Sequence, residues 1–162
     1  GFEKIIVNTS IANDFSLIED IAQKFGSQAV VASIDYKIKL FGKKRICLFK
    51  SGKDSSKFHP KDFAIKCEKA GAGEIMLQCI SHEGTMEKMD LSFIKEMVDI
   101  IDIPIIGSGG ASSHSYIKDF FEATNASAIS AGSIFVYYGP HNAVLINYPS
   151  YYEKQNLLVN IL

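Results

Sequence analysis

The sequence predicts an α/β fold in which parallel strands are joined by helices packed on an apolar sheet. Two observations predict it. Short β-branched or continuous apolar runs alternate with amphipathic, capped segments along the chain. Each run also ends in small, polar or glycine residues, as do strands whose C-terminal ends meet at one rim. That alternation is compatible with an open sheet or a closed barrel. A chain of 162 residues, 47% hydrophobic and 22% charged, is long enough for one domain with its own core.

Lys4-Ile5-Ile6-Val7 is the first strand, ending in Asn8 and Thr9. Ser16 with Glu19 forms a capping-box pattern ahead of Leu17, Ile18, Ile21, Ala22 and Phe25, so a helix follows, closed by Gly26. Ala29 to Ile34 is a continuous apolar run of the kind buried on both faces, and it is expected to end at Asp35. Between Tyr36 and Lys57 the pattern breaks into short pieces around Gly42 and Gly52, read as an inserted hairpin or loop at about 36–57. Pro60 opens a second helix with Phe63, Ala64, Cys67 and Ala70 on its apolar stripe. Glu74 to Ile80 is the third strand, followed by a polar loop Ser81 to Thr85 and a helix using Leu91, Ile94, Met97, Val98 and Ile101. Ile103 to Gly110 reads as strand and glycine turn, Ile117, Phe120 and Phe121 mark the next helix, and Ala126 to Ser130 is the fifth strand, leading into Gly132 and Ser133. A Gly139-Pro140 turn, an apolar run Ala143 to Ile146 and a Ser150/Glu153 capping box precede a last helix.

Composition excludes several classes of function. A formal net charge of −1 leaves no electrostatic footprint for nucleic acid or an acidic membrane, and the basic cluster Lys43, Lys44, Arg45, Lys50 and Lys53 reads as a solvated hairpin face. Cys47, Cys67 and Cys79 are odd in number and without a C-x-x-C pair, so neither a disulfide framework nor a metal site is expected, and a reducing, cytoplasmic setting fits. No apolar run of about 18 residues or signal-peptide layout is present. No cofactor is implied.

The candidate site is the rim of strand ends: Asn8 and Thr9, Asp35, Gln78 and Ser81, Gly107 to Gly110, and Gly132 with Ser133. Asp35, placed after a buried strand, is the candidate general acid or base. The glycine turn lets backbone N–H groups approach a ligand, and a following helix N-terminus would favour a phosphate.

Gly26 to Lys37, Ala70 to Ile75, Glu83-Gly84-Thr85, Ile103 to Ala111 and Ala131 to Phe135 together resemble the cyclase subunit of imidazole glycerol phosphate synthase, in the right order over nearly the whole chain. The resemblance implies a (β/α)8 barrel that takes ammonia from a glutaminase partner and uses it on a phosphorylated small-molecule substrate. Carried over by position, Asp35 matches a catalytic aspartate. Gly84, Gly109, Gly110, Gly132 and Ser133 match one phosphate or substrate site, and Asn8 and Thr9 match the other. Lys4 and Glu74 match members of a charged gate at the opposite mouth. The segments Phe135 to Pro149 and Leu40 to Lys43 are more similar to a paralogous branch that accompanies an amidotransferase in amidating sugars of surface polysaccharides.

Where the family usually reads Thr-Ser-Ile-Asp-Arg-Asp-Gly-Thr, this chain has Gln78-Cys79-Ile80-Ser81-His82-Glu83-Gly84-Thr85, and Lys57 stands where Gly is common. Ser81, His82 and Glu83 therefore imply altered substrate contacts or a catalytically weak scaffold, with His82 and Glu83 a possible proton-transfer pair. Length implies that these residues cover only strands four to eight, because such barrels need about 250 residues. A partial barrel, with its upstream half absent, is the expectation for 1–162, inactive when alone and exposed at two strand edges.

Overall fold

The computed structural model describes residues 1–39, 44–55, 58–139, 141–146 and 148–158. The expectations attached to Leu40 to Lys43, Lys57 and Pro140 lie outside these residues. Five parallel strands run side by side: β1 (Ile5–Val7), β2 (Val30–Ile38), β5 (Glu74–Cys79), β6 (Ile105–Ser108) and β7 (Ala128–Ser130), in that spatial order. Helix α1 (Ser16–Phe25) joins β1 to β2, α2 (Pro60–Lys69) precedes β5, α3 (Leu91–Val98) precedes β6, and α4 (His114–Thr124) precedes β7. Between β2 and α2 lie two antiparallel strands, β3 (Arg45–Phe49) and β4 (Asp54–Ser55), the hairpin read from the break in pattern. The tail adds the short helix α5 (Ser133–Val136), a two-stranded ribbon of β8 (Tyr137–Tyr138) and β9 (Ala143–Val144), and α6 (Tyr151–Leu158).

Strand periodicity sorts the side chains onto two faces. Val7, Val30, Ala32, Ile34, Tyr36, Ile75, Leu77, Cys79 and Ile105 form the core with Ile18, Phe63, Cys67, Phe93, Ile94, Met97, Tyr116 and Phe120 of the helices. The alternate positions face the other way: Ile6, Ser33, Asp35, Glu74, Met76, Gln78, Ile106, Ser108, Ala128 and Ser130. That face is unevenly covered: Val31, Ser33 and Ser108 are buried, Met76, Gln78 and Ile106 half-buried, and Ile6 58% exposed. Among the described residues β1 and β7 each pair on one side only, so the sheet is open.

Four local readings are corrected. β2 does not end at Asp35 but continues to Ile38, because Asp35-Tyr36-Lys37 alternates half-buried, buried and exposed and so suits a strand with β3 on its edge. The Ser16/Glu19 capping box does not form. Asp14 accepts hydrogen bonds from the Ser16 backbone N–H (2.9 Å) and hydroxyl (2.7 Å), so the satisfying carboxylate comes from outside the helix. The Ser81 loop is partly ordered as a 3-10 turn, Ile80–His82. Arg45 is not on a solvated face. It pairs with Asp90, Nε to Oδ2 at 2.6 Å and Nη2 to Oδ1 at 2.9 Å, and its guanidinium lies 4.6 Å from the Phe93 ring centroid. The Ser150/Glu153 box does form, with Glu153 accepting the Ser150 N–H at 2.7 Å and Ser150 the Glu153 N–H at 3.3 Å.

Candidate functional site

Parallel strands bring their C-terminal ends to one rim, and Asp35 lies there on β2, half-buried, with Leu48 of β3 and Gln78 of β5 as its register partners. Asn8 follows β1 and is held from two sides: its Nδ2 donates to the Ser33 carbonyl at 3.0 Å, and its Oδ1 accepts from the Thr9 hydroxyl at 3.1 Å. The Thr9 hydroxyl oxygen accepts the Lys50 N–H at 3.0 Å, tying the hairpin to the first strand. Burial pushes the Asp35 carboxyl above its ordinary range, the Asn8 side-chain hydrogen bond pulls it back, and the Glu83 carboxylate raises it further. Asp35 makes no ion pair among the described residues, so it is not a salt-bridged structural aspartate.

A second group of residues forms a cradle beside it. Gly84, Gly109, Gly110, Gly132 and Ser133 line one depression with Glu83, Met86, Ser108, Ala111, Ser130 and Ala131. The glycines are there for different reasons. Gly109 and Gly110 have φ of +86° and +103°, and a Cβ would fall 2.5 Å from the Cys79 carbonyl oxygen and 2.8 Å from the Lys88 carbonyl oxygen, so the turn packs against backbone. At Gly132 a Cβ would meet nothing within 4 Å. The expected helix N-terminus is not in this cradle. Helix α4 starts at His114, capped by the Ser113 hydroxyl accepting the Tyr116 N–H at 3.1 Å, and Ser112 to His114 line a neighbouring cleft with Ile134, Tyr137 and Tyr138.

Thr9 opens onto a cleft of about 750 Å³ between the first strand's loop and the hairpin, with Asn13, Lys50, Lys53 and Ser55 on its walls. Lys50 is engaged there with Asp54 at 2.7 Å. Lys4 and Glu74 pair with each other at the opposite ends of β1 and β5, reaching across the start of β2. Ser81 is exposed, and His82 is half-buried with Nδ1 out of contact with any partner among the described residues. Glu83 turns to Gln78, whose Nε2 donates to its Oε2 at 3.3 Å, rather than pairing with His82. Ser130 lines the cradle without having been singled out by sequence, beside its register partner Ser108 of the glycine stretch. Its signal was parity, since Ser130 lies two residues from Ala128 on the same face of β7. Among the described residues there is no His, Cys, Asp and Glu cluster that could hold a metal ion, and the cysteines are free and buried.

Residues 1–142 match the family described as histidine biosynthesis protein. A protein of Pseudomonas aeruginosa provisionally named imidazole glycerol phosphate synthase subunit hisF2 is 41% identical over 92% of this chain and 59% of its own length. One of Leptospira borgpetersenii, provisionally named imidazole glycerol phosphate synthase subunit HisF, is 37% identical over 97% of this chain and 62% of its own. The imidazole glycerol phosphate synthase subunit HisF of Chlorobium phaeovibrioides is 39% identical over 83% and 53%. The chain therefore spans between half and two thirds of the length of these relatives.

Proposed function

The chain belongs to the histidine biosynthesis protein family, and from that premise we propose that it is the C-terminal part of a (β/α)8 synthase barrel, acting on a phosphorylated small molecule with ammonia delivered by a glutaminase partner. The observation that carries the proposal is the convergence of Asn8, Asp35, Gln78, the Gly109-Gly110 turn and Ser133 on one rim of parallel strands. Two anchoring places flank Asp35, the glycine cradle on one side and the Thr9 cleft on the other. A substrate with a phosphate at each end would be held across the mouth, with its reacting centre over the carboxylate and little orientational freedom left to lose. In this reading Asp35 is the general acid or base, since a carboxyl raised by burial exchanges protons nearer neutrality. Lys4 and Glu74, paired at the far ends of the strands, are gate residues on the ammonia route. The open sheet, its less covered face and the shorter length than the relatives support the partial-barrel assignment.

The substrate we favour is a sugar destined for a surface polysaccharide, because Phe135 to Pro149 resemble that branch and Ser81 and Glu83 depart from the usual pattern. The relatives' names favour the alternative, the imidazole glycerol phosphate reaction of histidine biosynthesis. The deciding experiment supplies ammonium salts to the full-length protein without a glutaminase, together with either a nucleotide-linked sugar or an imidazole-precursor nucleotide. Turnover of the first supports the sugar branch, and turnover of the second supports the histidine pathway. Binding of phosphorylated ligand without turnover of either leaves a non-catalytic scaffold, and an inert protein that binds neither is a truncated remnant.

A further inference from the structure

We propose that Gln78 is a positioning residue that pins the Glu83 carboxylate on the Asp35 side of the rim, so that the mouth carries two carboxylates acting as a pair. The inference rests on the assignment of Asp35 as acid or base and deepens it. Its geometry comes from register. Asp35 and Gln78 are direct partners in the parallel β2–β5 pair and project from the same face of the sheet. From there the Gln78 side chain reaches forward and donates through Nε2 to Glu83 Oε2 at 3.3 Å. Glu83 is also a wall of the cradle.

Among the described residues, Glu83 is the charged group that acts on the Asp35 carboxyl. Asn8, just after β1, brings its side-chain amide to the carboxyl and counters part of the rise caused by burial, and β3 contributes the buried Cys47 thiol, which feels the Asp35 charge. β5 contributes the neutral Gln78, and Lys37 lies two residues further along the same face of β2, exposed. A second negative charge held on that side of the rim works against ionisation of Asp35. Without the Gln78 contact the exposed Glu83 side chain would be free to swing into solvent, where water screens it.

The test reads the titration of Asp35 directly, by carbon-detected nuclear magnetic resonance of the full-length protein, with the signal assigned through Asp35→Asn. Glu83→Gln removes the charge and keeps the shape. Gln78→Met removes the donor and keeps the length. Both are expected to shift the Asp35 midpoint downward, Glu83→Gln by more, with thermal unfolding unchanged. A midpoint that stays put in Glu83→Gln overturns the pairing, and one that moves in Glu83→Gln but not in Gln78→Met overturns the positioning role of Gln78. Turnover separates this from the functional reading: loss of activity in Asp35→Asn with an unmoved midpoint in Glu83→Gln rejects the pair alone. A moved midpoint with full activity in Asp35→Asn upholds the pair and rejects the catalytic assignment.

Discussion

Arg45 and Asp90 meet across 45 positions of sequence, and their contact shows how a single charge can hold two elements in place. Asp90 caps α3, accepting the Phe93 N–H, while its carboxylate takes both arms of the Arg45 fork from β3. With side chains 17% and 6% exposed, neither partner can turn to water if the other is removed. Asp90→Asn should therefore cost on the order of 3–5 kcal/mol in urea unfolding at pH 7. Burial alone would raise the Asp90 carboxyl, but the Arg45 hydrogen bonds and charge outweigh it and hold the group below its ordinary range. A depressed carboxyl contributes stability above its unfolded value of about 3.9 and loses it as pH falls through the folded one. The gap between wild type and Asp90→Asn should accordingly shrink below pH ~4. Asp35 has the opposite sign. Its carboxyl is raised by burial, so the wild type loses stability as pH rises from the unfolded value through the folded one. Asp35→Asn should raise the Tm at pH 7 while lowering turnover roughly 10²–10⁴-fold, the range for losing a general acid or base. A lower Tm at that pH would show that the carboxylate is a structural anchor instead.

At the scale of elements, the β6–α4 turn separates glycines required by packing from glycines available to a ligand. Gly109→Ala and Gly110→Ala would each drive a Cβ into backbone carbonyls at a positive φ, and each should cost roughly 1–3 kcal/mol. Gly132 precedes α5 at φ −126° with open space around it, so Gly132→Ala should change stability by no more than about 0.5 kcal/mol. If the cradle takes a phosphate, that same variant should weaken binding of a phosphorylated ligand, measured by calorimetry. Unchanged binding would remove Gly132 from the site. The alternation of strand and helix was legible because apolar period and caps are local signals, and Ser150 with Glu153 was read correctly for that reason. The Arg45–Asp90 pair was illegible because its partners are distant in sequence, and Arg45 sits near Lys44, Lys50 and Lys53, which do face solvent. Asp35 was named as a candidate site residue and expected at a strand end, which β2 passes by three residues. The alternation through Tyr36 and Lys37 that carries β2 onward was there to be read, and the preceding unbroken apolar run concealed it. The Gln78–Glu83 contact needed register as well as spacing, since residues five apart meet only where a 3-10 turn folds the chain back.

The molecule as a whole presents a sheet with helices on one face and far less on the other, and the imbalance has a measurable consequence. Ile5 and Ile6 are 44% and 58% exposed on a strand with one unpaired edge, and Phe2 is 95% exposed beside them. Burying such surface is worth roughly 25 cal/mol per Å², and an unpaired edge offers hydrogen bonds in addition, so residues 1–162 produced alone should self-associate. Parity assigns Ile6 to the less covered face, which in a closed barrel becomes the interior. The substitution Ile6→Lys should then have opposite effects in two settings. In the 162-residue chain it places a charge on an exposed apolar patch and should shift the sedimenting species toward monomer. In a longer protein whose remaining strands close the barrel, the same lysine would be confined to a lined interior and should lower the Tm. Sedimentation of the short chain and thermal unfolding of the long one, each with and without Ile6→Lys, measure the two signs separately. A monomeric short chain would mean that its edges are protected by its own residues, and an unchanged Tm in the long protein would mean that Ile6 faces solvent there too.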